Sequence, residues 1–122
     1  MSEQAMVADT SALIHFMEGH LPARKFLFGA EIHISVATEI ELLTMSEIKR
    51  TSAEVILRTL AHCSVWDISP AIKDHCVRLR SQYRMKLADA LIAATAVSLS
   101  LPLVTSDKGF ARLKGEVALK WL

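Results

Sequence analysis

Residues 86–110 read KLADALIAATAVSLSLPLVTSDKGF, a stretch that joins an apolar helical pattern, a short apolar strand pattern and two acids. From Ala88 to Leu101 almost every side chain is small or aliphatic, which predicts a helix buried on most of its circumference. Asp89 falls in the first turn of that helix, and Asp107 follows the apolar strand pattern. Although Asp is also a common helix cap, an acid at the carboxyl end of a buried strand lies where open α/β sheets hold their ligands. We therefore expect Asp89 and Asp107 to share one site.

Length and composition indicate a single globular domain over residues 1–122, with 52% hydrophobic and 22% charged residues. The net charge of +1 gives no overall basic field, so a nucleic-acid partner would need positive charge gathered locally. No apolar run approaches the ~18 residues of a membrane span, and the first residues do not resemble a signal peptide, so we expect a cytoplasmic protein. Cys63 and Cys76 stand apart without a CxxC pair, which favours reduced thiols.

Strand and helix patterns alternate along the whole chain. Strands are predicted at Ala5–Ala8, at 32–36, at 65–68, in the apolar run 101–104 and at 117–122. The helix after the second strand is predicted to begin at Thr38 in a capping box, and Met45 to Thr51 is predicted to be a polar turn. This order predicts an α/β fold, a three-layer α/β/α sandwich with a mainly parallel central sheet.

Two further acids follow predicted strands. Asp9 comes directly after the first strand, where it would also cap the next helix. Glu41 lies in the helix after the second strand, where a capping box would explain it equally well. Glu39 competes with Glu41 for a place in the site, but the two side chains point about 200° apart around a helix, so only one faces the crevice easily.

The four acids Asp9, Glu41, Asp89 and Asp107 fall on what would be one edge of the sheet. Carboxylates gathered in this way repel one another and raise one another's pKa values, a conflict that a divalent cation removes. Oxygen ligands without His or Cys suit Mg²⁺ or Mn²⁺. Such a site can activate a water molecule and stabilise charge on a phosphodiester, with one ion or with two.

Over essentially its full length the chain resembles PIN-domain proteins of the VapC toxin type. The matching segments are VADTSALI from Val7, ISVATEIELL from Ile34, LADALIAATA from Leu87 and LVTSDKGF from Leu103. The resemblance implies a small α/β/α domain that acts as a Mg²⁺- or Mn²⁺-dependent endoribonuclease, in which a metal-bound water held by the acidic cluster hydrolyses RNA. It also implies a homodimer that a cognate antitoxin protein holds inactive.

Carried over by position, the resemblance makes Asp9, Glu41, Asp89 and Asp107 the catalytic and metal-binding residues. Glu41 is preferred to Glu39 because it directly precedes Leu42-Leu43, as in the family pattern. Ser11 is then the polar neighbour of the first acid. Many family members carry a further acid where this chain has Gly109, which leaves one or two metal ions open.

Four more residues near these motifs are candidates for supporting roles. Lys86 stands one helical turn before Asp89 and would either pair with it or contact a substrate phosphate. Lys108 would contact phosphate or be an exposed turn residue. Thr105 and Ser106 would orient the last acid or a metal-bound water.

Three other functions remain open. The first is a nuclease acting on structured DNA, or a phosphatase. The second is a receiver-like signalling domain, which would normally show adjacent acids after its first strand; Ala8-Asp9-Thr10 lacks that pair. The third is a catalytically silent PIN domain that acts as a binding module.

Large apolar residues are concentrated on the two short helices predicted on either side of residues 19–22. With two basic neighbours, they predict a hydrophobic groove with a basic rim, suited to an amphipathic helix of an antitoxin. The apolar residues are Phe16, Met17, Phe26, Leu27 and Phe28, and the basic ones are Arg24 and Lys25.

Overall fold

A computed structural model describes residues 4–48 and 52–122. Five strands form one sheet in which every neighbouring pair is parallel, in the order β3-β2-β1-β4-β5. The predicted α/β fold with a mainly parallel sheet is confirmed, and in these residues the pairing is parallel throughout. The strands are β1 Ala5–Ala8, β2 Glu31–Ser35, β3 Cys63–Trp66, β4 Leu103–Thr105 and β5 Leu119–Trp121.

Helices cover both faces of the sheet. They are α1 Thr10–Met17, α2 Leu21–Leu27, α3 Val36–Ile48, α4 Ala53–Ala61, α5 Pro70–Tyr83 and α6 Leu87–Leu99, and a 3₁₀ helix spans Lys108–Leu113. Neighbouring strand residues point to opposite faces. Val7 accordingly packs in the core beside α5 and α6, whereas Met6 and Ala8 pack in the core beside α1 and α4. The result is the predicted three-layer sandwich.

Helix α6 is the most deeply buried helix of the described chain. Ala90 to Ala96 are all buried, as the small and aliphatic composition predicts. The helix ends at Ser100, which adopts a left-handed conformation with φ 54°. Because the small side chains bring α6 close to the sheet, its first turn, with Asp89, is carried to the sheet's edge.

Some predicted boundaries are wrong. Helix α3 begins at Val36 rather than Thr38, because the Ser35 hydroxyl accepts the Ala37 amide hydrogen at 3.1 Å and caps the helix earlier. The helix also continues through Ile48, where a polar turn was predicted; the rest of that turn, residues 49–51, lies outside the described residues. Strand β3 begins two residues earlier than predicted, and β5 is shorter.

The strand order reverses direction between β1 and β4. From β1 the chain passes to β2 and β3 on one side, and then to β4 and β5 on the other. In open α/β sheets, ligands bind outside the carboxyl ends of the strands at such a point. Ala8 pairs with Val104, so Asp9, directly after β1, lies beside Thr105, the last residue of β4.

Cys63 and Cys76 are both free thiols, as predicted. Among the described helices, none is both long and apolar enough to cross a membrane.

Candidate functional site

Asp9 is the buried centre of the site. It is only 3% exposed and caps α1, where its Oδ1 accepts the Ala12 amide hydrogen at 2.8 Å and the Ser11 hydroxyl at 2.7 Å. Its Oδ2 accepts a short hydrogen bond from the Thr105 hydroxyl. Burial raises the pKa of Asp9, although these three hydrogen bonds oppose the rise. Asp9 is therefore both a cap and an acid of the site, and Oδ2 retains one lone pair for a cation.

The hydroxyls of Ser11 and Thr105 each join Asp9 to the segment after β4. Ser11 donates to Asp9 and accepts the Ser106 amide hydrogen at 3.1 Å. Thr105 donates to Asp9 and accepts the Asp107 amide hydrogen at 2.9 Å. Each hydroxyl thus donates to one carboxylate oxygen and accepts from one backbone amide. Both residues thus contact Asp9, and the supporting roles assigned to them stay predictions.

Asp107 is exposed at the start of the 3₁₀ helix. Its Oδ1 accepts the Gly109 amide hydrogen at 2.8 Å. A Cβ atom at position 109 would lie 3.0 Å from that same Oδ1, so any other residue would displace the carboxylate slightly. Glycine therefore allows the close cap that holds Asp107 here.

Asp89 lies half-buried in the first turn of α6. Burial raises its pKa, and the negative charges of Asp107 and Glu41 raise it further. Lys86 and Arg112 act in the opposite direction. The structure therefore brings Asp89 within electrostatic reach of two of the other predicted acids, and the pKa of Asp9 is raised by Asp107 in the same way.

Glu41 is exposed on α3 and accepts a 2.6 Å hydrogen bond from the Thr10 hydroxyl. Its charge acts on Asp89, whereas Glu39 is not among the groups that shift the pKa of Asp89. Thr10 had no role in the prediction. Its position directly after Asp9 was the available signal, because a residue beside a buried acid at a helix start faces the same edge of the sheet.

The chemistry of these side chains suits a hard divalent cation, because the acids offer oxygen ligands only. Within the described residues, however, no three His, Cys, Asp or Glu side chains are grouped closely enough to hold a metal ion as they stand. Asp9 is fixed by three hydrogen bonds, so cation binding would draw Asp89, Asp107 and Glu41 toward it. The carboxylate oxygens suit the predicted metal ion. Without the ion, these carboxylates repel one another.

The basic candidates are exposed. Lys86 caps α6 through its backbone only, and it forms no ion pair with Asp89 within 4.0 Å in the described chain. Lys108 follows Asp107 and is also exposed. The Ser106 side chain contacts His15 Nε2 at 3.2 Å rather than Asp107.

Arg112 was not singled out from the sequence. It lies on the 3₁₀ helix five positions after Asp107, and its charge lowers the pKa of Asp89. No local pattern signals this residue, because its orientation depends on the Tyr83 carbonyl 29 positions earlier in the chain.

Comparison with known proteins agrees with this fold. The family model described as PIN domain matches residues 6–116. A toxin-antitoxin complex from Klebsiella pneumoniae contains a chain with 28% identity and a TM-score of 0.79, the match covering 94% of this chain and 95% of that one. VapBC-1 from nontypeable Haemophilus influenzae has 19% identity and a TM-score of 0.77, covering 97% and 98%. FitAcB from Neisseria gonorrhoeae has 18% identity and a TM-score of 0.76, covering 93% and 95%. Comparison with curated protein sequences finds no match.

Proposed function

The chain belongs to the PIN-domain family, and from this premise we propose that it is a metal-dependent endoribonuclease of the VapC toxin type. The observation that supports the proposal most is electrostatic: where the strand order reverses, the charge of Asp107 raises the pKa of both Asp9 and Asp89, and the charge of Glu41 raises that of Asp89. Such a grouping is costly for stability unless a cation is bound, which is typical of a functional site. A catalytically silent binding module would have no need to retain all four.

We assign the metal-binding and catalytic roles to Asp9, Glu41, Asp89 and Asp107. Asp9 is held rigidly by its three hydrogen bonds, so it fixes the position of the ligand set. The other three are less constrained and adjust around it. Bound Mg²⁺ or Mn²⁺ would supply activation of water and stabilisation of negative charge on the phosphodiester.

RNA cleavage by the purified chain tests the proposal. A panel of labelled single-stranded and hairpin RNAs is incubated with Mg²⁺, with Mn²⁺ or with EDTA, alongside DNA of the same sequences. We expect cleavage of RNA in the presence of either cation and none in EDTA. Asp89→Asn, purified identically, controls for contaminating ribonuclease. Cleavage of DNA alone would support the nuclease on structured DNA, and binding without cleavage would support the silent module.

We also propose that the partner is an antitoxin protein that inserts an apolar helix into a groove on the α1, α2 and α4 side. The groove has a volume of about 410 Å³. Of its lining residues, Phe28 is 79% exposed, whereas Leu27 is buried. The similar Klebsiella pneumoniae chain comes from a toxin-antitoxin complex. The lining residues are Phe16, Leu27, Phe28, Gly29, Ala30, Ile32, Arg58, Thr59 and His62.

The groove differs in part from the one predicted. Met17 and Phe26 pack against the core instead of lining it. Arg24 lies over the Phe16 ring at 5.7 Å from its centre. Arg58 of α4 lines the groove, so a basic side chain reaches the groove from a helix that the prediction did not include.

A homodimer in the cytoplasm completes the proposal. Ile40 on α3, Val77 on α5 and Leu87 on α6 are 57%, 61% and 54% exposed, and a second copy would cover such apolar side chains. Light scattering of the purified chain at several concentrations tests this: a mass of one chain at all of them would contradict it.

A further inference from the structure

Arg112 is held in one orientation by two backbone carbonyls. Its Nη1 donates a 2.7 Å hydrogen bond to the carbonyl of Tyr83, at the end of α5. Its Nε donates a 3.3 Å hydrogen bond to the carbonyl of Gly109, one turn back on the 3₁₀ helix. The guanidinium is thus anchored between two elements although the residue is exposed.

The charge of Arg112 is not neutralised by an ion pair. Arg58 has Glu54 as a partner at 2.7 Å, and Arg78 has Glu116 at 2.9 Å. No carboxylate of the described residues lies within 4.0 Å of the Arg112 guanidinium. Of the five N–H groups of a guanidinium, two are used by the carbonyls, so Nη1 and Nη2 keep donors for a ligand.

This cation stands beside two of the acids. The Gly109 amide donates a hydrogen bond to Asp107, and the Gly109 carbonyl accepts one from Arg112. A single residue therefore separates the guanidinium from that carboxylate. The positive charge of Arg112 also lowers the pKa of Asp89. The carboxylates would bind a metal cation, and the ligand of that cation is an anion. An oriented arginine without an ion-pair partner, next to these carboxylates, is placed to bind the same anion.

We propose that Arg112 binds a phosphate of the RNA backbone at the edge of the acidic site, through the donors left on Nη1 and Nη2. The inference rests on the proposed function, because it takes RNA as the ligand. Two N–H groups side by side match two phosphate oxygens, a geometry that lysine does not reproduce. Arg112 would therefore hold the substrate in register with the acids.

A purely structural role predicts a different result, and Arg80 provides the matched control. Its Nε donates a 3.3 Å hydrogen bond to the Met85 carbonyl, in the same α5–α6 corner whose Tyr83 carbonyl is bound by Arg112. If the two arginines only fix this corner, Arg80→Gln and Arg112→Gln have similar effects. If Arg112 binds phosphate, only Arg112→Gln weakens RNA binding.

The experiment measures binding of a fluorescein-labelled single-stranded RNA by anisotropy in EDTA, over a series of KCl concentrations, for the full chain and for the Arg112→Gln, Arg112→Lys and Arg80→Gln variants. For Arg112→Gln we expect roughly tenfold weaker binding at low salt and a slope of log K against log[KCl] reduced by about 0.7, the value for one lost phosphate contact to a single strand. Arg112→Lys should keep most of the slope but bind less tightly. Arg80→Gln should match the wild type.

The outcomes separate this inference from the proposed function. An unchanged slope in Arg112→Gln, with RNA cleavage by the wild type intact, overturns the role of Arg112 and leaves the nuclease standing. A reduced slope in a protein that binds RNA but never cuts it supports Arg112 and overturns the nuclease. Equal losses in Arg80→Gln and Arg112→Gln, or no RNA binding by the wild type, overturn the inference.

Discussion

The Thr10 hydroxyl donates a 2.6 Å hydrogen bond to Glu41 Oε1 and thereby ties the first residue of α1 to α3. Thr10 is the neighbour of Asp9, the most buried acid of the site. Glu41 is otherwise exposed on α3, so this hydrogen bond is what directs its carboxylate toward the sheet's edge. Glu39, two positions earlier on the same helix, has no equivalent contact with α1 in the described chain.

We expect Glu41→Gln to reduce RNA cleavage by about two orders of magnitude, the loss typical of removing a metal ligand or a residue that supports one. Glu39→Gln should reduce cleavage by less than a few-fold. The reason is the orientation of the two side chains, since only Glu41 acts on Asp89. Initial cleavage rates at saturating Mg²⁺ measure the difference. Equal losses, or a loss confined to Glu39→Gln, would overturn the assignment of Glu41.

Replacing Asp9, Asp89 or Asp107 with Asn should abolish most cleavage and leave a folded protein. Without metal, the melting temperature should hold or rise, because each substitution removes one charge from a mutually repelling set. Differential scanning calorimetry in EDTA measures this. Asp67→Asn is the matched control: Asp67 follows edge strand β3 at the same end of the sheet, away from β1 and β4, so cleavage should be unaffected. A marked drop in melting temperature for all three would show that they act mainly as caps.

Ionisation of Glu116 should contribute to the pH dependence of the free energy of unfolding. Hydrogen bonds from Arg78 and Tyr83, both 2.9 Å long, lower its pKa from 4.5. A lowered folded-state pKa means that the unfolded chain binds the proton more readily, so this stabilisation is present above pH 4.5 and is lost as pH falls through the folded-state value. We expect Glu116→Gln to cost roughly 1 kcal/mol or less at pH 7 and nothing at acidic pH.

Urea unfolding of Glu116→Gln and the wild type at a series of pH values measures that difference. Glu54→Gln is the control, because its ion pair with Arg58 is exposed on both sides, at 77% and 69%. A deficit in Glu116→Gln that stays constant from pH 7 to acidic pH would contradict the linkage to ionisation.

Hydrogen exchange tests the antitoxin groove. We expect amides from Leu13 to Phe28 to exchange more slowly when the chain is bound to the proposed antitoxin, because a helix seated on Phe28 would bury this segment. Protection of α5, on the opposite face of the sheet, should change little unless the dimer also forms. Unchanged exchange across Leu13 to Phe28 in a verified complex would exclude this groove as the docking surface.

The sequence predicted the α/β fold because its strands and α6 are strongly patterned, and the strand-end positions of Asp9 and Asp107 followed from that pattern. The start of α3 was predicted wrongly, because Ser35 and Thr38 are both good caps and only the packed structure shows which is used. Arg112 could not be placed from the sequence, since its orientation depends on a carbonyl of α5 that lies 29 positions away. Contacts of that kind are set by tertiary packing rather than by local pattern.

The hydrogen bond between Thr105 and Asp9 spans 96 positions of the chain. During synthesis, Asp9 leaves the ribosome long before Thr105 and Asp107 are translated, and a site made from both cannot exist in the interval. Closing so long a loop is also among the slower steps in forming a parallel sheet. A nascent chain that carries β1 but not β4 therefore has an incomplete acidic site, and the proposed nuclease would be inactive until β4 pairs with β1.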